Sequence, residues 1–203
     1  MKKLYIFDFD GTLVNTLYDS VIAYNKALRK HNLPEYEYDS LEEIDFKDFK
    51  NSITHDEDVL LTYYDEYEKG EKKYTQAYPG VVEVLEQIVN NGCEVAICSN
   101  RAEFQLEDYA RKLFPNISFN SIVGYVPNGP FKPDPALINQ ILDNVEYDKN
   151  EILYIGDKTT DIRTAENVNI DAVVVTWGQG DQEAYNDEYP IKVIDKMEQL
   201  LEL

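Results

Sequence analysis

The sequence predicts an α/β protein, a doubly wound parallel sheet that carries a small helical insertion. Three observations carry that reading. A short β-prone run, residues 4–9, opens the chain and is ended by Gly11. Further such runs recur from residue 94 onward, separated by segments of helical spacing, which is the βα rhythm of a sheet covered on both faces. Between them, from Tyr18 to Lys69, the chain has helical signals and no convincing strand.

In chain order, residues 4–9 are expected to form a buried first strand. Val21, Ile22, Ala27 and Leu28 then share a helical face, and Pro34 follows that segment. Ser40 with Glu43, and Thr54 with Glu57, have capping-box spacing, which predicts helices starting near Leu41 and His55. The pattern changes at Tyr78-Pro79-Gly80. An amphipathic helix runs through Ile88, and Asn91-Gly92 turns the chain into a strand over 94–98. A helix over 103–113, a strand over 121–123, a helix over 135–142, a strand over 152–155, a helix over 160–168 and a strand over 172–176 follow. Residues 191–194 and 195–203 read as an edge strand and a closing helix. The implied division is a Rossmann-like α/β core of residues 1–14 and 78–203 and a helical cap domain of residues 15–77 inserted after the first strand.

With 203 residues, 43% hydrophobic and 29% charged, the chain has a globular profile and room for a real core. Its 19 basic and 39 acidic residues leave a formal net charge of −20, and no basic stripe appears. Nucleic acid and anionic membrane surfaces are therefore not expected partners. A small anion remains possible, because a few cations and backbone amides can focus positive potential in one pocket of an acidic protein. Cys93 and Cys98 lie in one apolar run without metal-like spacing and are expected to be buried structural thiols. The apolar stretch after Met1-Lys2-Lys3 is too short and too charged for a signal peptide, and no run approaches the roughly 20 apolar residues of a membrane span. The expected location is cytoplasmic.

The chemistry begins at Phe7-Asp8-Phe9-Asp10-Gly11-Thr12, where two carboxylates leave the C-terminal end of a strand, the end at which open α/β sheets bind ligands. Positions i and i+2 of a strand share a side, so Asp8 and Asp10 can face one pocket. Two such carboxylates repel unless a cation or a shared proton offsets them. Ser99-Asn100 follows the next strand and offers hydroxyl, amide and backbone N–H groups. Lys132-Pro133 lies between two turn-forming segments, with Pro135 suited to the first turn of the following helix. Gly156-Asp157 ends another apolar strand, with Asp161 four residues on, so that one helical turn could aim both carboxylates inward or use them as caps.

The ordered set Asp-x-Asp-Gly-Thr, Ser-Asn, Lys-Pro and Gly-Asp-x-x-x-Asp resembles the haloacid dehalogenase-like hydrolases, specifically phosphoglycolate phosphatase-like members with a helical cap after the first strand. The resemblance implies a Mg²⁺-dependent phosphatase acting on a small phosphate monoester. It makes Asp8 the nucleophile and Asp10 the acid and base. Ser99 and Lys132 become the phosphate-binding serine and cation, Gly11 and Thr12 the turn that admits phosphate, and Asn100 a site-shaping residue. Asp8, Asp10, Asp157 and Asp161 become the metal ligands or metal surroundings, with Asp161 serving either the metal or Lys132.

Lys158 departs from the family pattern, in which a small hydroxyl residue often follows the aspartate directly. Arg101 reads as a surface arginine at a helix start, and Trp177 as a packed strand-end aromatic. The cap tyrosines Tyr36, Tyr38, Tyr63, Tyr64, Tyr67 and Tyr74 read chiefly as packing, and His31 and His55 as helix-end or surface residues. A dehalogenase would not need Asp10. A phosphosugar mutase would share the whole core set, and a non-catalytic binding protein would have little reason to carry it.

Overall fold

A computed structural model describes residues 2–180 and 182–203. The chain separates into two compact units, one running to Val14 and resuming at Ala77, the other Asn15–Gln76. The first unit starts with β1 (Leu4–Phe7); the chain then leaves it through β2 (Val14–Asn15) and returns through β3 (Gln76–Ala77), which pair with each other. The helical unit between them holds α1 (Leu17–Lys30), α2 (Phe46–Ser52) and α3 (Glu57–Lys69). After β3 come α4 (Val81–Asn90), β4 (Glu94–Ala102), α5 (Glu103–Leu113), β5 (Ser121–Tyr125) and α6 (Pro135–Leu142). The remainder is β6 (Ile152–Gly156), α7 (Thr159–Asn167), β7 (Asp171–Val175), α8 (Gln182–Tyr185) and β8 (Lys192–Ile194).

The large sheet has the order β5-β4-β1-β6-β7-β8, and every neighbouring pair is parallel. Alternate residues of its strands feed opposite cores, as the period of a strand requires. Tyr5, Phe7, Val95, Ile97, Leu153 and Ile155 pack with Val84, Leu85 and Ile88 of α4 and Leu106 of α5. Leu4, Ile6, Ala96, Ile152 and Tyr154 pack on the other face with Leu137, Ile138 and Ile141 of α6. Both faces are covered, which is why these strands read as unbroken apolar runs. At the register used, Phe7 is level with Ile97 and Ile155, so the chains of β1, β4 and β6 reach the same sheet edge together.

The helical unit has its own core of Leu17, Val21, Tyr24, Leu28, Ile44, Phe49 and Val59. Tyr24 meets Phe49 and Tyr63 edge-on at 5.7 and 5.5 Å, and Tyr36 meets Phe49 at 5.4 Å, so tyrosines supply much of this packing.

Several element boundaries differ from the sequence expectation. Leu41–Glu43 is a single 3-10 turn, and the Ser40 side chain makes no cap bond there. The side chains that cap α2 and α3 are Asp45, accepting from Asp48 N–H, and Asp56, accepting from Asp58 and Val59 N–H. Thr54 instead accepts from Asp56 N–H; an aspartate nearer the first apolar turn is the better N-cap. The C-terminal segment is a 3-10 helix, Met197–Glu202, with Met197 and Leu200 buried at three-residue spacing. β1 ends at Phe7 and β4 continues past Cys98 to Ala102, with a register shift against β5 over that extension. The short α8 was not expected. Cys98 is buried as expected; Cys93 is only half-buried, its thiol donating to the Lys2 carbonyl at 3.4 Å. Among the described residues, no helix is long and apolar enough to cross a membrane.

Candidate active site

Asp8 follows β1, Ser99 lies in β4, and Asp157 follows β6, so three adjacent parallel strands deliver them to one sheet edge. Lys132 arrives from the segment between β5 and α6, and Asp161 from the first turn of α7. Asp8, Asp157 and Asp161 are all buried, and each offers an oxygen within 4.8 Å of the others. Three carboxylates that close require compensating charge.

Lys132 supplies part of it. Its Nζ lies 2.7 Å from Asp8 Oδ1 and 2.7 Å from Asp161 Oδ1, and donates to the Tyr154 hydroxyl at 3.2 Å. An ammonium has three protons to donate, and here each has a partner. Burial works against its charge, but Asp161 and Asp8 outweigh burial and hold the lysine well above its ordinary pKa. Asp8 is raised from the usual carboxylate range by burial, with Lys132 opposing and Asp161 adding to the rise. The Tyr154 hydroxyl donates in turn to the Cys98 carbonyl at 2.9 Å, and its own pKa is pushed up, first by burial.

Asp161 and Asp157 are used differently. Oδ1 of Asp161 takes Lys132, and Oδ2 accepts the backbone N–H of Asp157 at 3.1 Å and of Lys158 at 3.0 Å. Both of its oxygens are engaged, and the contact to Lys158 N–H closes the start of α7 in the manner of a cap. Asp157 accepts the Gln179 N–H on Oδ2 at 2.5 Å, while its Oδ1 is buried and has no hydrogen-bond partner among the described residues. Burial pushes the Asp157 carboxyl up to about 7, with Lys158 lowering it and the Asp161 and Asp8 carboxylates raising it. A buried carboxylate oxygen without a donor is costly. Beside a second carboxylate it is the ligand set that a hard divalent cation takes, so the residues present fit such an ion.

The turn after β1 depends on Gly11. Its φ is +87°, and a Cβ there would lie 2.3 Å from Asp157 Oδ2. The loop after β7 closes the other side: a Cβ on Gly178 would lie 2.1 Å from the Gly11 carbonyl oxygen. Lys158, the residue that departs from the family pattern, reaches this loop, its Nζ donating to Gln179 Oε1 at 2.9 Å. Thr12 is fully buried, its carbonyl accepting the Trp177 indole N–H at 3.1 Å, so Trp177 is packed at the strand end as expected.

The remaining sequence candidates lie on the same edge. Ser99 is buried, with its hydroxyl 3.4 Å from Arg101 N. Asn100 is exposed and clips the lysine segment in place, accepting Lys132 N–H at 2.7 Å and donating to the Lys132 carbonyl at 3.3 Å. Asp10 is held by Arg101, whose Nη2 lies 2.6 Å from Oδ1 and whose Nε lies 2.9 Å from Oδ2. Arg101 is therefore not the surface arginine expected: its side chain is only 13% exposed, because β4 continues past Cys98 and turns it inward. His31 pairs with Thr62 at 2.8 Å within the helical unit, and His55 is exposed.

Sequence reasoning missed Tyr154, Gln179 and the true place of Arg101. For Gln179 a signal was present, a polar residue between Gly178 and Gly180 just past a strand. Tyr154 carried none, since a tyrosine inside Ile152-Leu153-Tyr154-Ile155 reads simply as a β-former.

Comparison with known proteins shows the family of the chain. The model of the haloacid dehalogenase-like hydrolase family matches residues 5–175, and the chain belongs to that family. Phosphoglycolate phosphatase 1 of Pseudomonas aeruginosa is 25% identical over 215 residues, covering 99% of this chain and 79% of that protein. The phosphoglycolate phosphatase of Mesorhizobium japonicum is 26% identical over 217 residues, covering 98% of this chain and 93% of that one. A haloacid dehalogenase-like family hydrolase from Streptococcus pneumoniae has the same fold, with a TM-score of 0.82, 21% identity, and coverage of 99% of this chain and 97% of that one.

Proposed function

We propose that the chain is a Mg²⁺-dependent phosphatase that hydrolyses a small phosphate monoester through an aspartyl phosphate on Asp8. The observation that carries this reading is the buried Lys132 bridging Asp8 and Asp161 beside an Asp157 Oδ1 that has no partner among the described residues. A charge cluster so expensive to bury is hard to justify for structure alone, and it lies where this fold binds ligands.

Mg²⁺, when bound, would be held by Asp8, Asp157 and the Asp10 carbonyl, and supplies positive charge for the phosphoryl oxygens. Asp161, with both oxygens engaged, belongs to the metal's surroundings and acts chiefly by orienting Lys132. Asp8 forms a bond to phosphorus as the bond to the leaving oxygen breaks, and the Asp10 carboxyl gives that oxygen its proton. Water then attacks the same phosphorus, Asp10 takes the water's proton, and inorganic phosphate leaves with Asp8 restored. Lys132, the Ser99 hydroxyl and the N–H of Asn100 favour the charge spread over the equatorial oxygens, while the Gly11-Thr12 turn, whose own N–H groups donate to the Val14 and Phe9 carbonyls, lets the phosphate approach.

The substrate class is a small phosphorylated metabolite such as phosphoglycolate, a sugar phosphate or a nucleotide. The names of the curated relatives place phosphoglycolate first for testing. On the same reading, residues 15–77 act as the cap that selects the leaving group, and the enzyme works in the cytoplasm without a nucleic-acid partner. The test is phosphate release from a panel of small monoesters. Turnover that requires Mg²⁺, stops with a chelator and is lost in a folded Asp8→Asn protein is expected; turnover unchanged in Asp8→Asn would overturn the reading.

A further inference from the structure

We infer that Arg101 is the positioning residue of the acid/base carboxylate: it fixes where Asp10 points and takes no part in holding the substrate. The inference rests on the phosphatase reading above, because it assigns the geometry of one of that reaction's groups.

The guanidinium is committed on every side that the structure shows. Nη2 lies 2.6 Å from Asp10 Oδ1, and Nε lies 2.9 Å from Oδ2 and 3.2 Å from Oδ1, so two nitrogens grip one carboxylate. Nη1 donates to Gln105 Oε1 at 3.1 Å. The guanidinium carbon lies 5.5 Å from the centre of the Tyr109 ring, and that ring sits 5.6 Å from the ring of Phe9, the residue just before Asp10. Gln105 and Tyr109 are one helical turn apart on α5, and therefore on one face of it. The backbone supports the same frame: Arg101 lies in the extension of β4 where pairing with β5 changes register.

These contacts argue for positioning. A bidentate arginine–carboxylate pair fixes the plane of the carboxylate as well as its place. An arginine meant to take a second anionic group of the substrate would keep one edge of its fork turned away from the protein; here the three nitrogens contact Asp10 and Gln105. Proton transfer to a leaving oxygen needs hydrogen-bond reach and alignment, and a displacement of about 1 Å can cost on the order of 100-fold. Without Arg101, Asp10 keeps its chemistry and loses its aim.

The experiment compares the parent, Asp8→Asn, Arg101→Gln, Arg101→Lys and Arg101→Ala on two esters, an alkyl phosphate whose leaving oxygen needs a proton and an aryl phosphate with an acidic phenol that does not. The expected result, read as the single-turnover rate of leaving-group release that precedes water attack, is a loss for Arg101→Gln on the order of 100-fold on the alkyl ester and about threefold or less on the aryl ester, with the half-saturating substrate concentration nearly unchanged on both. Methylguanidine added to Arg101→Ala should recover part of the alkyl-ester rate, and Arg101→Lys should fall between parent and Gln. Equal losses of that single-turnover rate on both esters, a raised half-saturating concentration with the rate unchanged, or rates equal to the parent would each overturn the positioning role while leaving the phosphatase reading intact. A parent without Asp8-dependent turnover would overturn that reading and the positioning role with it.

Discussion

Tyr154 shows how one side chain ties the lysine cluster to the sheet. Its hydroxyl accepts from Lys132 Nζ and donates to the Cys98 carbonyl, linking β6 to β4 beneath the carboxylates. Tyr154→Phe removes the oxygen and leaves a buried ammonium proton and a buried carbonyl short of a partner. The expected cost is about 1–3 kcal/mol, read as a lower urea midpoint with an unchanged m-value; an unaltered midpoint would show the contact to be energetically idle. Cys98 sits beside this cluster, and burial pushes its thiol up to about 12. Since the thiolate is the reactive form, the folded protein should leave Cys98 unmodified by iodoacetamide near pH 8, and urea should expose it. At this scale the sequence was readable where a carboxylate stood at a strand end, as with Asp8 and Asp157, whereas Lys132, from the segment between β5 and α6, was placed by the family resemblance. The sequence was unreadable where a polar atom is reached from inside an apolar run, as with Tyr154.

At the scale of elements, the strands were legible because both faces of the sheet are buried, which leaves a plain apolar signature in β1, β4, β6 and β7. Caps and ends were not, since they turn on which of several nearby polar side chains wins, as Asp56 does over Thr54. The irregular end of β4 was invisible for the same reason, and with it the inward turn of Arg101. The loop joining β1 to β2 yields a sharper test. Gly11→Ala places a Cβ in the left-handed region and 2.3 Å from Asp157 Oδ2. The backbone alone should cost about 1–3 kcal/mol, measurable by chemical denaturation. The displaced Asp157 should also weaken Mg²⁺ binding by calorimetry, and wild-type binding in Gly11→Ala would contradict this geometry.

For the whole molecule, the net charge of −20 argues against polyanionic partners from composition alone but could not reveal the local gathering of positive charge at the sheet edge. That edge links stability to pH. Burial raises Asp157 to about 7, so the folded, metal-free protein binds this proton more tightly than the unfolded chain does. The stabilising contribution of this group is therefore full below the unfolded value of about 3.9 and is lost as pH rises through the folded value. A bound divalent ion needs the ionised form, so its effect has the opposite sign. The rise in Tm on adding Mg²⁺ to chelator-treated protein should be larger near pH 8 than near pH 5, with protons released on binding. A rise equal at both pH values, or none, would contradict the carboxylate cluster as the ion's seat.

The most direct test of the central claim is to quench the protein in acid while it turns over a small phosphate monoester and to locate the phosphoryl group by mass spectrometry of its peptides. An acid-stable, base-labile phosphoryl group on Asp8, absent from Asp8→Asn, is expected. The group on another residue, or no phosphorylated protein even in Asp10→Asn given an aryl phosphate whose leaving group needs no proton, would contradict the aspartyl-phosphate mechanism.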